Sequence, residues 1–293
     1  MRIDRLSQYE LGNLNESRII TAQFQKYITY QTSEGKTYIS PELKEGELPT
    51  WIEGYGVDGH KLLMSLCNLY LQVKDAGETQ AIQYIIAWCQ DNITPYYHKG
   101  FNESLFDYRT RNDAEIWEML VNVVESFAFE IKTMMKDLKD LYLNTEMLLL
   151  FRSIRDGEKV DTRLLNTPFM KEFEGLGALN ELELLKEMEG FISRIPKFPM
   201  ELMIDELGEF RIAPAFTSVF EAAYFALARF VAAGADMPLR DGGKTPLAVC
   251  DSCGKIFIKS GNRQKYCGDD ACQKERNRRK ANRYVAKKRQ EKP

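Results

Sequence analysis

Four cysteines near the C-terminus carry the most specific chemistry in the chain. Cys250 and Cys253 stand as C-x2-C, thirteen residues intervene, and Cys267 and Cys272 follow as C-x4-C. Two short-spaced pairs let two tight turns aim four thiolates at one point, the tetrahedral arrangement that Zn²⁺ takes in structural sites. Soft thiolate donors exclude magnesium and calcium and favour zinc, with iron the other metal that accepts four sulfurs. The spacing therefore predicts one structural Zn²⁺. A catalytic zinc would need an open position, and four thiolates close the shell. A redox C-x-x-C would need a thioredoxin-like βαβ context that the neighbouring residues do not supply. Disulfides would need an oxidising compartment, and the opening MRIDRLSQYELGN has no apolar region that would direct secretion. These thiols read as reduced, metal-bound and cytoplasmic.

The residues after the third cysteine say what such a site would organise. Asp269 and Asp270 are helix-capping residue types, and neither Gly nor Pro interrupts residues 271–290. A helix there carries the last thiolate in its first turn, where the positive end of the helix dipole stabilises it. A knuckle, a short β-hairpin and a helix start supplying the second ligand pair predict a treble-clef-like finger over residues 246–293. At 100° per residue, Arg276, Lys280, Arg283 and Lys287 fall within about 40° of one line. Ala281 and Val285 lie on the opposite side, available for packing on the finger or the body. Residues 250–293 hold fourteen Lys and Arg against five Asp and Glu, a formal +9, and four thiolates with one Zn²⁺ reduce this to about +7. A cationic helix tethered to a zinc knuckle suits phosphate recognition. The candidate nucleic-acid contacts are Arg263 and Lys265 in the finger loop and Arg276, Arg278, Arg279, Lys280, Arg283 and Lys287 on the helix. Arginines reach guanine edges as well as phosphates, so the residue types leave base reading open.

At these residues the chain resembles the CGNR-type zinc fingers that end bacterial proteins with an ABATE-type N-terminal domain. The shared pattern runs from the C-x2-C knuckle and the strand Ile256-Phe257-Ile258 into Ser260-Gly261-Asn262-Arg263. It continues through Tyr266-Cys267, Cys272 and a basic helix with a late Arg283-Tyr284. The resemblance implies a DNA-binding transcriptional regulator. The family's Cys-Gly-Asn-Arg tetrad, whose Cys is the last ligand, is here Cys272-Gln273-Lys274-Glu275, with Asn277-Arg278 only later. The ligand is retained and the rest of the tetrad is not. The likeness covers the finger well and the preceding residues loosely.

The remainder must position and accompany this module. At 293 residues, with 44% hydrophobic and 28% charged residues, the chain has the composition of one or two globular domains with a real core. Residues 1–249 hold 26 Lys and Arg against 38 Asp and Glu, a net of −12. An acidic body over residues 1–240 and a basic tail over 246–293 point the tail alone at a polyanion; the competing reading is that body and tail neutralise each other. The body reads as mainly α with minor β, an α+β fold. Tyr27 to Ser40 alternates about Ser33-Glu34-Gly35-Lys36 and predicts a β-hairpin. Gly54-Tyr55-Gly56-Val57-Asp58-Gly59 matches G-x-G-x-x-G but lacks the preceding strand and βαβ context, so it reads as a loop with Asp58 near a helix N-cap. Leu62, Leu63, Leu66, Leu69 and Tyr70, then Ile82, Ile85, Ile86 and Cys89, recur at helical steps. Beyond the Pro95 break and an aromatic loop, Asn112 or Asp113 caps a predicted helix whose stripe is Ile116, Leu120, Val123, Val124, Phe127 and Ile131. Met134, Met135, Leu138, Leu141 and Tyr142 continue it. A Gly-rich connector (156–180), a charged helix (about 178–190), two short strands turning at 206–209, an apolar helix from Phe216 to Ala233 and a linker complete the body. The strand pair and apolar helix also resemble the end of the ABATE-type domain. Residues 216–235 are the most apolar stretch, but they contain Glu221 and Arg229 and read as a core helix, not a membrane span. Cys67 and Cys89 read as buried free thiols.

Enzyme signatures are absent. With only His60 and His98 in the chain, no H-E-x-x-H site exists, and neither a G-x-x-x-x-G-K-[ST] loop nor a G-x-S-x-G elbow occurs. The zinc deaminase pattern fails because no His lies near Cys250. The expectation is a non-enzymatic bacterial protein that binds nucleic acid, double-stranded DNA before RNA, with no membrane partner. Its body would sense a small-molecule effector or form a homo-oligomer. The competing expectations are an RNA-binding protein and a finger that serves only as a structural or protein-docking module.

Overall fold

Alternating apolar and polar residues on either side of a tight turn make the first hairpin. Strand β2 (Tyr27–Gln31) pairs antiparallel with β3 (Thr37–Pro41), bringing Tyr30 opposite Tyr38 with their rings stacked at 5.6 Å. Thr32 and Gly35 close the turn, and Gly35 takes φ 74°, a left-handed backbone that a side chain would strain. The computed structural model describes residues 20–43, 50–53, 59–96, 124–155, 200–204, 210–214, 216–233, 247–259 and 264–290, with single positions at 114–115, 117–118, 121, 183, 186 and 197. A second pair joins β1 (Ile20–Gln23) to β4 (Thr50–Glu53). The loop 54–58, the aromatic loop, the connector, the turn at 206–209, the linker at 234–246 and Ser260–Arg263 lie outside the described residues.

The predicted helical stripes become α1 (Gly59–Val73) and α2 (Glu78–Asp91). Leu62, Leu63, Leu66, Leu69 and Tyr70 of α1 are buried, as are Ala81, Ile85, Trp88 and Cys89 of α2. Trp88 Nε1 donates to Ser65 Oγ at 3.2 Å, so the indole buries its ring without orphaning its donor. Cys67 and Cys89 are fully buried, as expected, and neither is in a disulfide. The end of α2 is tied to β1: Thr94 donates to the Ala22 carbonyl through both its backbone N–H (3.1 Å) and its hydroxyl (3.0 Å).

One sequence expectation is corrected here. The stripe from Val124 to Ile131 does not continue as a helix. Val124–Phe127 forms a 3₁₀ turn, and Phe129–Glu130 forms strand β5, before α3 (Ile131–Arg155) begins. Strand β5 pairs with β3, Ile39 opposite Phe129 and Tyr38 opposite Glu130, and this takes up backbone groups that β3 would otherwise leave open. Phe127, Phe129 and Ile131 are all buried, a two-residue step that suits an extended segment.

Strands β6 (Met200–Ile204) and β7 (Phe210–Pro214) form the expected antiparallel pair, and α4 (Val219–Ala233) follows. Ser218 Oγ accepts the Glu221 N–H at 3.2 Å, while the Glu221 carboxylate accepts the Thr217 N–H (2.5 Å) and hydroxyl (3.0 Å). Reciprocal capping of this kind satisfies donors that a helix start leaves open. The Tyr96 ring lies 5.7 Å from both Phe129 and Phe220, and its hydroxyl donates to Asp137 Oδ2 at 2.6 Å. Burial comes first in raising the pKa of both Tyr96 and Asp137 above their ordinary values.

The chain divides into two compact units, Met1–Tyr142 with Ser193–Phe230, and Leu143–Ile192 with Val231–Pro293. Among the described residues five α-helices accompany small antiparallel sheets, an α+β composition in which helix dominates. No described helix is long and apolar enough to cross a membrane.

Candidate metal centre

The site is built on a three-residue hairpin and a helix start. Strands β8 (Leu247–Val249) and β9 (Ile256–Ile258) pair antiparallel, with Val249 opposite Ile256. Between them the chain turns back on itself: the Cys250 N–H donates to the Lys255 carbonyl at 2.8 Å and the Gly254 N–H to the Cys250 carbonyl at 3.0 Å. Gly254 adopts φ 76° to close this knuckle. A bond from the Asp251 N–H to the Lys265 carbonyl (2.9 Å) brings the second cysteine pair alongside. Helix α5 (Asp270–Gln290) starts at once, the Gln273 N–H donating to the Asp269 carbonyl at 3.0 Å. Cys272 therefore sits in the first turn, as the sequence predicts.

The four thiol sulfurs of Cys250, Cys253, Cys267 and Cys272 lie within 4.8 Å of one another. Sγ of Cys253 and Sγ of Cys267 are 3.7 Å apart. A tetrahedral ion with metal–sulfur bonds of about 2.3 Å holds its sulfurs about 3.8 Å apart, so this cluster fits a metal after a small contraction. Backbone donors support it. The Cys267 N–H donates to Cys250 Sγ at 3.3 Å, and the N–H groups of Cys253 and Ser252 also face that sulfur. Burial opposes the Cys250 thiolate, but these donors together outweigh it and bring its pKa below the ordinary thiol value. Burial, then crowding by neighbouring sulfurs, pushes Cys253 up and Cys267 up to about 11. Four sulfurs this close repel one another as thiolates, and a divalent cation at their centre removes that penalty.

Contacts remote in sequence brace the cluster. Lys255 Nζ pairs with Asp269 Oδ2 at 2.5 Å, tying the knuckle to the helix start, so the Asp269 side chain meets a cation across the finger. Gln273 Nε2 donates to the Cys267 carbonyl at 2.6 Å. Tyr266 is buried with the cysteines, Phe257 packs against the group, and Arg279 lies over the Tyr266 ring at 6.0 Å. No sequence signal marks the Lys255–Asp269 pair, whereas Glu275 could have been found from its spacing. Its carboxylate accepts from Arg278 (2.7 and 2.9 Å) and Arg279 (2.7 Å), at the i+3 and i+4 positions of one helix face. These bonds hold the Glu275 pKa down at about 2.

The predicted basic residues therefore divide. Arg278 and Arg279 converge on Glu275. Arg276 is exposed and donates to Gln273 Oε1 at 2.8 Å; Lys265 and Lys280 are exposed. Arg283 and Lys287 lie on α5, with side chains outside the described residues, and Arg263 lies outside them altogether. Ala281 and Val285 are exposed, Val285 at 46%, which corrects the expectation that they pack on the finger or body. The finger spans only the first turns of a 21-residue helix, about 32 Å long at 1.5 Å per residue. From Lys280 onward every described side chain of α5 up to Val285 is exposed.

No family model, no curated protein and no solved structure matches this chain.

Proposed function

We propose that residues 246–293 form a treble-clef-like zinc finger of the CGNR kind, and that the protein is a cytoplasmic DNA-binding transcriptional regulator without catalytic activity. The observation that carries this reading is the cysteine cluster at the first turn of a cationic helix that runs well past the finger. Zinc is the metal proposed because four sulfur donors in this spacing close a tetrahedral shell. Bound there, Zn²⁺ supplies a fixed structural vertex. The chain's own residues do the rest: Cys250 and Cys253 hold the knuckle, while Cys267 and Cys272 anchor the helix start.

In this reading Arg276, Lys280, Arg283 and Lys287 meet phosphates or enter the major groove, and Arg263 and Lys265 approach the backbone from the finger loop. Arg278 and Arg279 contribute less, because Glu275 already holds them. The acidic body supplies an effector-binding or self-association surface. Anisotropy of labelled duplex DNA and matched RNA with the zinc-loaded protein, titrated across salt, tests the reading. Loss of four phosphate contacts in an Arg276, Lys280, Arg283, Lys287 to Ala variant should flatten the log–log salt slope by up to about 3.6 on duplex DNA. A preference for RNA would move the assignment to RNA binding. No binding by the zinc-loaded protein at low salt would overturn both and leave the finger a structural or docking piece.

A further inference from the structure

The four cysteines are not equivalent. Cys250, Cys267 and Cys272 are only 3–5% exposed, whereas Cys253 is open to solvent. It stands at the last position of the knuckle turn, with its sulfur 3.7 Å from that of the buried Cys267. Of the four ligand residues Cys253 alone is exposed, and its sulfur has a second thiol within reach. Cys67 and Cys89 have no comparable access, both being fully buried.

We infer that Cys253 is the point at which peroxides attack this finger and that Cys267 resolves the product as a disulfide, releasing the metal. The inference rests on the zinc reading above but not on nucleic-acid binding. The Cys253 thiolate attacks one oxygen of hydrogen peroxide, forming an S–O bond and breaking O–O, and hydroxide leaves. The Cys267 thiolate then attacks the sulfenic sulfur, forming S–S and expelling a second hydroxide. Two electrons pass from the sulfurs to the peroxide oxygens, and solvent protonates both hydroxides. The disulfide removes two of the four donors, so the remaining pair, Cys250 and Cys272, cannot complete a tetrahedral shell. Cys272 then loses its anchor to the knuckle.

The consequence for α5 is mechanical. Its start is also held by the Lys255–Asp269 pair and the Gln273 bond to the Cys267 carbonyl, and moving the backbone to bring Cys253 and Cys267 to bonding distance disturbs both. Peroxide would therefore loosen the basic helix, and a thiol reductant with Zn²⁺ would restore it.

The test starts from protein whose zinc content has been measured. Peroxide is added with a chromogenic zinc chelator present, and disulfides are mapped by peptide mass spectrometry over time. The expected result is one zinc released per disulfide, with the Cys253–Cys267 link appearing first. In a parallel alkylation series on the zinc-loaded protein, Cys253 should carry label before any other cysteine. A Cys253→His variant keeps a nitrogen ligand, as Cys₃His sites do, and lacks the accessible thiol. Zinc-loaded, it should keep its metal under peroxide. If that variant fails to load zinc, the order of alkylation and of disulfide formation in the native protein decides alone. Another pair linking first, uniform labelling, or full retention of zinc by the oxidised native protein would overturn the inference. Protein that binds no zinc before peroxide is added would overturn the metal reading itself, which keeps the two failures apart.

Discussion

On the nucleic-acid reading proposed above, replacing Glu275 with Ala should strengthen binding by releasing arginines. Glu275 occupies two guanidinium groups, Arg278 through both Nε and Nη2 and Arg279 through Nε. The two will not respond alike. Arg278 is 70% exposed and pairs with Glu275, so without that carboxylate it swings into solvent. Arg279 is half as exposed and also lies over the Tyr266 ring, a contact that persists without the carboxylate. One added phosphate contact, not two, is therefore expected, and the log–log salt slope on duplex DNA should steepen by about 0.9. Alanine is the best helix former, so helicity by circular dichroism should be unchanged and zinc content likewise. The Glu275 pKa of about 2 adds a control: native Glu275 stays charged across pH 4–8, so the native slope should owe no pH dependence to it in that window. A slope equal to that of the native protein, with helicity and zinc intact, would refute the argument that Glu275 withholds a phosphate-binding arginine. A slope steeper by about 1.8 would show instead that Tyr266 does not retain Arg279.

Other outcomes follow from the same geometry. Gly254→Ala places a side chain on a left-handed backbone inside the knuckle, at a cost of about 1–2 kcal/mol; competition with a zinc chelator should show affinity weakened about tenfold. Tyr96→Phe removes the hydroxyl that donates to Asp137, which should cost about 1.5–3 kcal/mol in urea unfolding at pH 7. A loss below about 0.5 kcal/mol would mean the bond adds nothing that solvent does not. Burial raises the Asp137 pKa, so the folded state holds that proton more tightly than the unfolded chain. Stability from this group is present below the ordinary Asp range and is lost as pH rises through the raised value. Asp137→Asn should remove that part of the acid-range dependence, and an unaltered pH–stability curve would refute it.

The cysteine cluster was legible because its requirement is local. Two short cysteine spacings must close on one point, and nothing distant in sequence is needed to say so. The β2–β3 hairpin and the α1 stripe were legible for the same reason: a two-residue or a three-to-four-residue period declares itself within a few residues. The segment around Val124–Ile131 was not, because its apolar residues fit both periods. Val124, Phe127 and Ile131 step as a helix would, while Phe127, Phe129 and Ile131 step as a strand. The choice was made by β3, about ninety residues earlier in the chain, whose Ile39 pairs with Phe129. The Lys255–Asp269 brace was hidden likewise, since an ion pair across fourteen residues leaves no periodic trace. The exposure of Ala281 and Val285 shows the opposite error, in which small apolar residues on one side of a helical wheel suggest a burial that they do not have.

A cation bound by the four cysteines would, through the position of Cys272, have a role beyond bracing. Starting an α-helix is the slow, unfavourable step, with a nucleation constant of about 10⁻³, whereas adding residues to an existing turn is nearly neutral. A densely charged run such as RNRRKANRYVAKKR repels itself along much of its length and has little apolar surface to bury. It is poorly placed to nucleate alone. Pinning Cys272 and the Asp269 carbonyl at the first turn supplies the nucleus ready-made. Ordering then spreads toward residue 290 from one defined end. The metal would thereby act as the seed of a helix–coil transition, and the persistence length of the basic rod, not only its attachment, would follow metal occupancy.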